Sequence, residues 1–540
     1  MGAFNQSDRF NVKKNNAQES FVDATGELAV TETATLFNVS RGTAYITYQQ
    51  MVSYATSFVY YILLIRILDL AQIGQVSLLA AAMSIFTTIT QLSLPAAATR
   101  FISANIGSRD PSNAGAVART TRRLLLSISG PALIIAIVAS PTIGHVVFKT
   151  SDATVLLIVT FAASFILDLT TLYGAYFLGL GLYAEMVYQN ILYTPLSRGL
   201  GLVLAHEGFG PLGIPLGWAI GASLTLLLSL YLWKGKLLHS NGFPARPLLV
   251  FSLPLFASAL ITLIQGWGDI TLLQALLGQF GTTGAYYIVV SSVAFLSILW
   301  SPVAGALYPA LSSSYASDGG RAVFEKLGVA TRLVNLTVLP AGAALAAVAP
   351  TALEAVYGSS LGNQAVPFAI LAVTIIFSAQ SLLLVTNLQA IGKTSRILGI
   401  SLVAATIDLV TVGLGASALG TTAGAIGRAL LAISMSFLAW LSLRRTLHPP
   451  ITKGLSKALV LTLFSAAPLF FVDNSLALSL HLAAVLRLPA LLGVFAFCFL
   501  TASRALNVFA DDDFELLGNA LPGFLTPLLR TLERILVAPV

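Results

Sequence analysis

About fourteen stretches of roughly twenty apolar residues follow one another from residue 43 to residue 502, separated by short polar turns. No other feature limits the possible folds of this chain so tightly. Only 9% of the 540 residues are charged, against about 25% in a soluble domain, so a water-facing surface of that length has too little polarity to cover it. The chain reads as a polytopic membrane protein. In hydrocarbon every backbone amide needs an internal partner, which leaves helix bundles and closed barrels. The runs are too long and too continuously apolar for barrel strands, so the fold class is all-α.

The spans fall near 43–66, 75–99, 124–147, 154–178, 187–206, 211–233, 249–276, 284–310, 333–355, 366–390, 397–418, 421–443, 457–472 and 480–502. Residues 1–42 are polar and read as a cytoplasmic tail. No short basic stretch leads directly into an apolar core, so no signal peptide is expected. The triplet Asn38-Val39-Ser40 matches a glycosylation sequon by spacing, but it falls on the inner side.

Basic residues give the orientation. One side collects Arg9, Lys13, Lys14, Arg41, Arg109, Arg119, Arg122, Arg123, Lys234, Lys236, Arg246, Arg321, Lys326, Arg332, Lys393, Arg396, Arg444, Arg445, Lys453 and Lys457; the other holds little more than Arg66 and Lys149. Lys and Arg accumulate in cytoplasmic loops, so both termini are expected in the cytoplasm. The net charge of +7 reflects this asymmetry and not an affinity for nucleic acid. The single cysteine, Cys498, excludes an intramolecular disulfide framework.

Glycines mark an internal repeat. Gly74 and Gly284 open spans 2 and 8, Gly181 and Gly392 lie in turns, and Gly210 with Gly217 matches Gly420 with Gly427, all at offsets of 210 or 211 residues. Each unit holds six spans. Six is even, so the two units insert the same way up, as parallel repeats do in several transporter folds. The expected organisation is an N-lobe over 43–233, a cytoplasmic linker over 234–248, a C-lobe over 249–443, two further helices over 444–502, and an amphipathic C-terminal tail over 503–540. Within that tail the run from Asp511 to Leu517 reads as a charged helix start.

A charge near mid-bilayer costs about 3 kcal/mol on insertion scales, and so tends to face a wet cavity or a partner. Arg66 and Arg100 lie at span ends, where they can snorkel. Arg198 in span 5, Arg428 in span 12 and Asp269 in span 7 are harder to place in lipid, and Gln265, Trp267 and Gln274 keep Asp269 polar company. Two readings stay open: interhelical pairs (Asp168 with Arg198, Asp408 with Arg428), or cavity-lining residues. Arg487, in span 14, reads as peripheral. The inner half of span 1 is polar (Tyr45, Thr47, Tyr48, Gln49, Gln50, Ser53, Tyr54, Thr56, Ser57) and suggests a vestibule for sugar hydroxyls and a phosphate, for which arginine offers a planar fork. No metal-spaced His/Cys cluster, phosphate loop or large extramembrane domain is present, so neither an enzyme nor a cofactor is expected.

Several segments carry a family resemblance. "IRILDLAQIGQVSLLAAAMS" (65–84), "LPAAATRFIS" (94–103), "FSLPLFASALITLIQGWGDITLLQALLGQFGTTGAYYI" (251–288), "LQAIGKTS" (388–395) and "LGTTAGAIGRAL" (419–430) stand in the order of the landmarks of polysaccharide flippases. The chain resembles the oligosaccharide flippase branch of the multidrug/oligosaccharidyl-lipid/polysaccharide exporter superfamily from about residue 43 to 445. Asp69, where that family often has glycine, and the long polar N-terminal tail depart from the pattern. The resemblance implies two six-helix lobes around a V-shaped cavity and alternating access in the plasma membrane. The implied cargo is an undecaprenyl- or dolichyl-(di)phosphate-linked oligosaccharide. By the resemblance Arg66, Arg100 and Asp269 belong to the cavity helices; together with Arg198, Arg428, Gln265 and Trp267, singled out above by their place within the spans, they make up the expected substrate site. A monomer among membrane lipids suffices, with or without a coupling cation. The rival reading is a cation-coupled multidrug or metabolite antiporter. It is disfavoured because span 1 holds no carboxylate and the first six spans hold only Asp168. A glycan polymerase or ligase would need a long outer loop, and the outer loops here are mere connectors.

Overall fold

A computed structural model describes residues 32–537, apart from 149–152, 235–241, 302, 306, 308–310, 312–319, 445–449, 479–482, 511–512, 515–516 and 519–525. Arg9, Lys13, Lys14, Lys149, Lys236 and Arg445, and most of the 511–517 run, lie outside the described residues. The described residues form helices and no strand. They are α1 (Glu32–Ile67), α2 (Leu70–Gln91), α3 (Leu94–Gly107), α4 (Pro111–Ile143), α5 (Ala153–Gly179), α6 (Tyr183–Leu204), α7 (Gly213–Trp233), α8 (Ala245–Leu277), α9 (Phe280–Ala294), α10 (Gly320–Ala347), α11 (Ala349–Tyr357), α12 (Ala365–Ala390), α13 (Thr394–Leu419), α14 (Thr421–Arg444), α15 (Leu455–Leu478), α16 (Ala484–Ala505) and α17 (Thr526–Leu536). Among them are 13 segments long and apolar enough to cross a membrane. One, Tyr183–Trp233, folds back at Gly208–Gly210 into the antiparallel pair α6 and α7, so it supplies two of the expected spans. The first helix starts at Glu32, so residues 32–42 of the expected tail, the sequon included, are helical.

Span 1 meets span 2 in a turn organised by Asp69. Its carboxylate accepts from the Gln72 amide at 2.8 Å, and the Gln72 side chain accepts from the Asp69 amide at 3.2 Å, a reciprocal capping box. Asp69 therefore starts α2. Glycine serves the same N-cap position less well, which accounts for the departure from the family pattern in physical terms. Asp69→Ala is expected to lower stability by about 1 kcal/mol, read from denaturant unfolding in detergent; Asp69→Asn should lose little.

Span 2 does not run unbroken to residue 99. Leu92 and Ser93 adopt left-handed backbone angles (φ 43° and 56°), which side chains tolerate poorly, and α3 starts anew with Pro95 in its first turn. Asp168 of α5 holds the end of α2: it accepts from Thr90 Oγ1 at 2.6 Å and from Gln91 Nε2 at 3.0 Å.

The pairings of the first six spans recur six spans later. α1 packs on α6 and α8 on α13; α6 packs on α7 and α13 on α14; α5 packs on α7 and α12 on α14; α4 packs on α5 and α10 on α12. The glycine landmarks behave alike. Gly181 and Gly392 have φ of 73° and 74°, and the residue after each donates to a carbonyl five positions back (Leu182 to Phe177, Lys393 to Leu388), a Schellman ending that favours glycine. Gly210 and Gly420 match at φ 54° and 56°. The two helix groups meet where α2 crosses α9. A side-chain carbon on Gly74 would overlap the Phe280 carbonyl, and one on Gly284 would overlap the Leu70 carbonyl. The two repeat-equivalent glycines thus face each other in a backbone-to-backbone contact.

α8 joins both groups. Near its start Leu248 is fully buried in a cluster with Leu94, Ile102 and Tyr173 of the first group, while Ile270 and Leu273 near its end sit in a large cluster built mainly from the second group and joined by Leu64 and Ile73 of the first. The last two spans, α15 and α16, lie against α10 and α11. Arg487, expected to be peripheral, donates to Asp473 at 3.0 Å, and Thr351 donates to the same carboxylate at 2.6 Å, which ties these spans to α11. Beyond them Asp513 is helical, as are the other described residues of the 511–517 run, and it is fully buried and accepts from Arg332 at 2.8 and 3.1 Å, which docks this part of the tail into the bundle.

Candidate functional site

A cavity of about 420 Å³ lies where the two helix groups meet. Both groups supply its walls: Tyr54, Ser57, Tyr60 and Tyr61 from α1, Met83 and Ser84 from α2, Arg198 from α6, Trp218 from α7, Trp267 from α8, and Tyr287, Ser291 and Ser292 from α9, with Tyr357 nearby. Aromatic rings dominate. Trp267 and Tyr287 stack with centroids 6.0 Å apart, and Tyr61 meets Tyr287 edge-on at 5.6 Å with their hydroxyls 3.1 Å apart. Ser292 donates to the Tyr357 hydroxyl at 2.6 Å. Such rings offer apolar faces with polar tips.

Arg198 is the cavity's only lining cation among the described residues. Its guanidinium lies over the Tyr60 ring, 5.3 Å from the centroid, and donates to Ser57 Oγ. No described carboxylate comes within ion-pairing distance of it. This corrects the Asp168–Arg198 pair entertained from the sequence. Asp168 is fully buried on α5 and spends both oxygens on α2, whereas Arg198 turns to α1.

The second entertained pair is also corrected. Arg428 does not close on Asp408 but on Asp269 of α8, through Nε at 2.6 Å and Nη2 at 2.8 Å, with a further bond to the Gly266 carbonyl at 2.9 Å. Tyr286 donates to the same carboxylate at 2.6 Å. Asp269 is fully buried and Arg428 mostly so, with two parallel bonds in the fork geometry that makes arginine–carboxylate pairs strong. Asp408, equally buried, lies against Gly427 with no hydrogen bond from a described residue to either oxygen.

Of the seven expected site residues, the structure brings Arg198 and Trp267 together in the cavity. Gln265 points away from it, donating to the Ser401 carbonyl at 3.1 Å. Asp269 and Arg428 are consumed in their own pair. Arg66 is exposed at the end of α1, and Arg100 is exposed on α3 with its guanidinium 4.3 Å from the Phe251 ring centroid. The polar half of span 1 does contribute Tyr54 and Ser57. The tyrosines at 60, 61, 287 and 357 and Trp218 were missed, since an aromatic in an apolar span carries no mark of which face it takes.

The family model for polysaccharide biosynthesis proteins matches residues 39–315. No curated protein matches the chain in sequence. Among solved structures the chain is similar to the lipid II flippase MurJ in an inward closed conformation, at 12% identity and a TM-score of 0.69, over 85% of this chain and 97% of that one. It is similar to an inward-facing multidrug resistance MATE family transporter of the MOP superfamily at 18% identity and a TM-score of 0.59, over 75% and 98%. A MOP superfamily transporter from Pyrococcus furiosus follows at 16% and 0.53, over 76% and 96%. At those identities the likeness is one of fold. The sequence match covers more than half of the 540 residues, and on it the chain belongs to the polysaccharide biosynthesis protein family, as a multi-pass membrane protein with the fold of the MOP superfamily transporters.

Proposed function

We propose that the protein is a flippase that moves a polyprenyl-(di)phosphate-linked oligosaccharide from the cytoplasmic to the outer leaflet of the plasma membrane, for a cell-surface glycan, by alternating access of two six-helix lobes. The observation that carries this reading is Arg198: a guanidinium in a tyrosine- and tryptophan-lined cavity between the helix groups, with no described carboxylate to neutralise it. Arg198 is only partly buried and faces no described carboxylate, so its guanidinium is open to a ligand anion, and phosphate fits the fork. The tyrosine hydroxyls and serines supply donors and acceptors for sugar hydroxyls, and Trp267 and Tyr287 supply flat faces. Arg66 and Arg100 we assign to the exit and entry ends of the path. The basic residues support placing both termini in the cytoplasm, and one chain suffices for the cavity.

The antiporter reading is less well supported. Asp168 does not line the cavity, and both its oxygens already accept from neutral donors. The deciding experiment deletes the gene and assays lipid-linked sugars by leaflet. Accumulation on the cytoplasmic side with loss of surface glycan supports the flippase. Unchanged lipid-linked sugars with a newly toxic small cation support the antiporter. In the complemented strain, Arg198→Ala is expected to cut export by about ten- to a hundredfold, the worth of a charge-assisted bond of roughly 1.5–3 kcal/mol. Arg198→Lys should fall between, since it keeps the charge but not the fork.

A further inference from the structure

An unbroken row of side chains crosses the cavity from its cation to the second helix group. The Arg198 guanidinium lies 5.3 Å from the Tyr60 ring centroid, Tyr60 meets Tyr61 edge-on at 5.2 Å, Tyr61 meets Tyr287 at 5.6 Å, and Tyr287 stacks on Trp267 at 6.0 Å. Charge is confined to the first member. Of the other arginines within the expected spans, Arg428 is held by Asp269 and Arg487 by Asp473, while Arg66 and Arg100 stand exposed at span ends. The stretch 302–319, only partly described, contains no lysine or arginine. Past Arg198 the polar groups of the row are hydroxyls and the Trp267 indole. The hydroxyls of Tyr61 and Tyr287 pair at 3.1 Å, and beside them Ser292 pairs with Tyr357 at 2.6 Å.

We infer that the sugars next to the phosphate of the cargo are uncharged, and that this row rejects a sugar bearing a carboxylate. The inference rests on the flippase reading, in which the phosphate takes the cavity's one lining cation. What remains for the sugars is a set of paired hydroxyls and aromatic faces, and both discriminate by charge. A hydroxyl donates and accepts. A sugar hydroxyl therefore enters a tyrosine–tyrosine or serine–tyrosine pair by accepting from one partner and donating to the other, and every polar atom stays satisfied. A carboxylate only accepts. It needs both partners of a pair to turn their hydrogens towards it, and it brings a second negative charge where no cation is left to meet it, the costly case of an unpaired buried charge. The rings act in the same direction. The face of an aromatic ring is the negative side of its quadrupole, so it takes the C–H face of a neutral sugar and repels an anion. Selection then comes from what the wrong cargo leaves unmatched.

The test measures binding of three synthetic lipids to the full-length protein in phosphatidylethanolamine/phosphatidylglycerol nanodiscs. They are a polyprenyl diphosphate, the same lipid carrying glucose, and the same lipid carrying glucuronic acid, so that the last two differ only in the oxidation of C6. The glucose lipid is expected to bind about tenfold or more tightly than the glucuronic acid lipid. Trp267→Ala should weaken the glucose lipid about three- to tenfold and leave the bare diphosphate lipid as it was, a split that a general loss of structure does not produce. Ser84→Arg, which sets a second cation in the cavity wall, should shrink the preference for glucose. Equal or tighter binding of the glucuronic acid lipid, with Arg198→Ala weakening all three, overturns the inference and leaves the flippase reading standing. If none of the three binds, or if Arg198→Ala changes none of them, the flippase reading fails and takes the inference with it.

Discussion

Asp269→Ala is expected to cost about 3–5 kcal/mol of stability, because it strands a mostly buried guanidinium inside the bilayer. Arg428 currently spends three donor bonds within α8, two on Asp269 and one on the Gly266 carbonyl, and alanine removes the two charge-assisted ones. Arg428→Met is expected to be worse than Asp269→Ala, since it leaves two buried carboxylates, Asp269 and the unpartnered Asp408, without their neighbouring cation. The double variant Asp269→Ala/Arg428→Met should regain much of the loss, as apolar replacements of buried ion pairs commonly do. Unfolding midpoints in detergent and yields of folded protein read all three. The same series separates a structural pair from a cargo contact. A pair predicts unstable singles and a recovered double. If Asp269→Ala folds like the parent but fails to export glycan, the pair belongs to the transport path.

The second large effect concerns the crossing of α2 and α9. Gly74→Ala and Gly284→Ala each drive a methyl group into a backbone carbonyl that cannot swing aside like a flexible side chain. Overpacking of this kind costs about 1–3 kcal/mol, which disfavours the crossed arrangement by roughly five- to 150-fold. With Cys498, the only native cysteine, replaced by serine, spin labels at the exposed positions Ala71 and Gln279 flank the crossing. The expected outcome is a longer label-to-label distance in both glycine variants, together with loss of export. Gly107→Ala is the matched control, because nothing lies within 4 Å of its added carbon. Unchanged distances in Gly74→Ala and Gly284→Ala would mean that the crossing yields without opening, and that the halves do not separate there.

What the sequence disclosed and what it withheld divide along physical lines. Spans and the repeat are written locally: hydropathy over twenty residues makes a span, and a turn needing positive φ at Gly181 or Gly392 announces itself through glycine. The capping box was equally local, since Asp69 is followed three residues later by Gln72, yet the aspartate read only as a departure from a family pattern. Partner choice is not local. Asp269 and Asp408 both lie within reach of α14 by topology, and only helix rotation decides which of them Arg428 meets. The cavity's aromatics come from five helices far apart in sequence, and nothing in "VYYILL" or "AYYIVV" tells which tyrosine turns inward.

Helix α8 is 33 residues long, about 50 Å at the helical rise. It is fastened at both ends, by Leu248 among first-group side chains and by the Asp269–Arg428 pair in the second. A helix of fixed length tethered this way works as a lever arm: a tilt of roughly 5° at one end displaces the other by roughly 4 Å. The interior Pro254, which removes one rung of the hydrogen-bond ladder, is where such a rod bends most easily. The tight pair near one end thus sets the angle of the whole rod, and with it the position of Phe251 under the guanidinium of Arg100 at the far end.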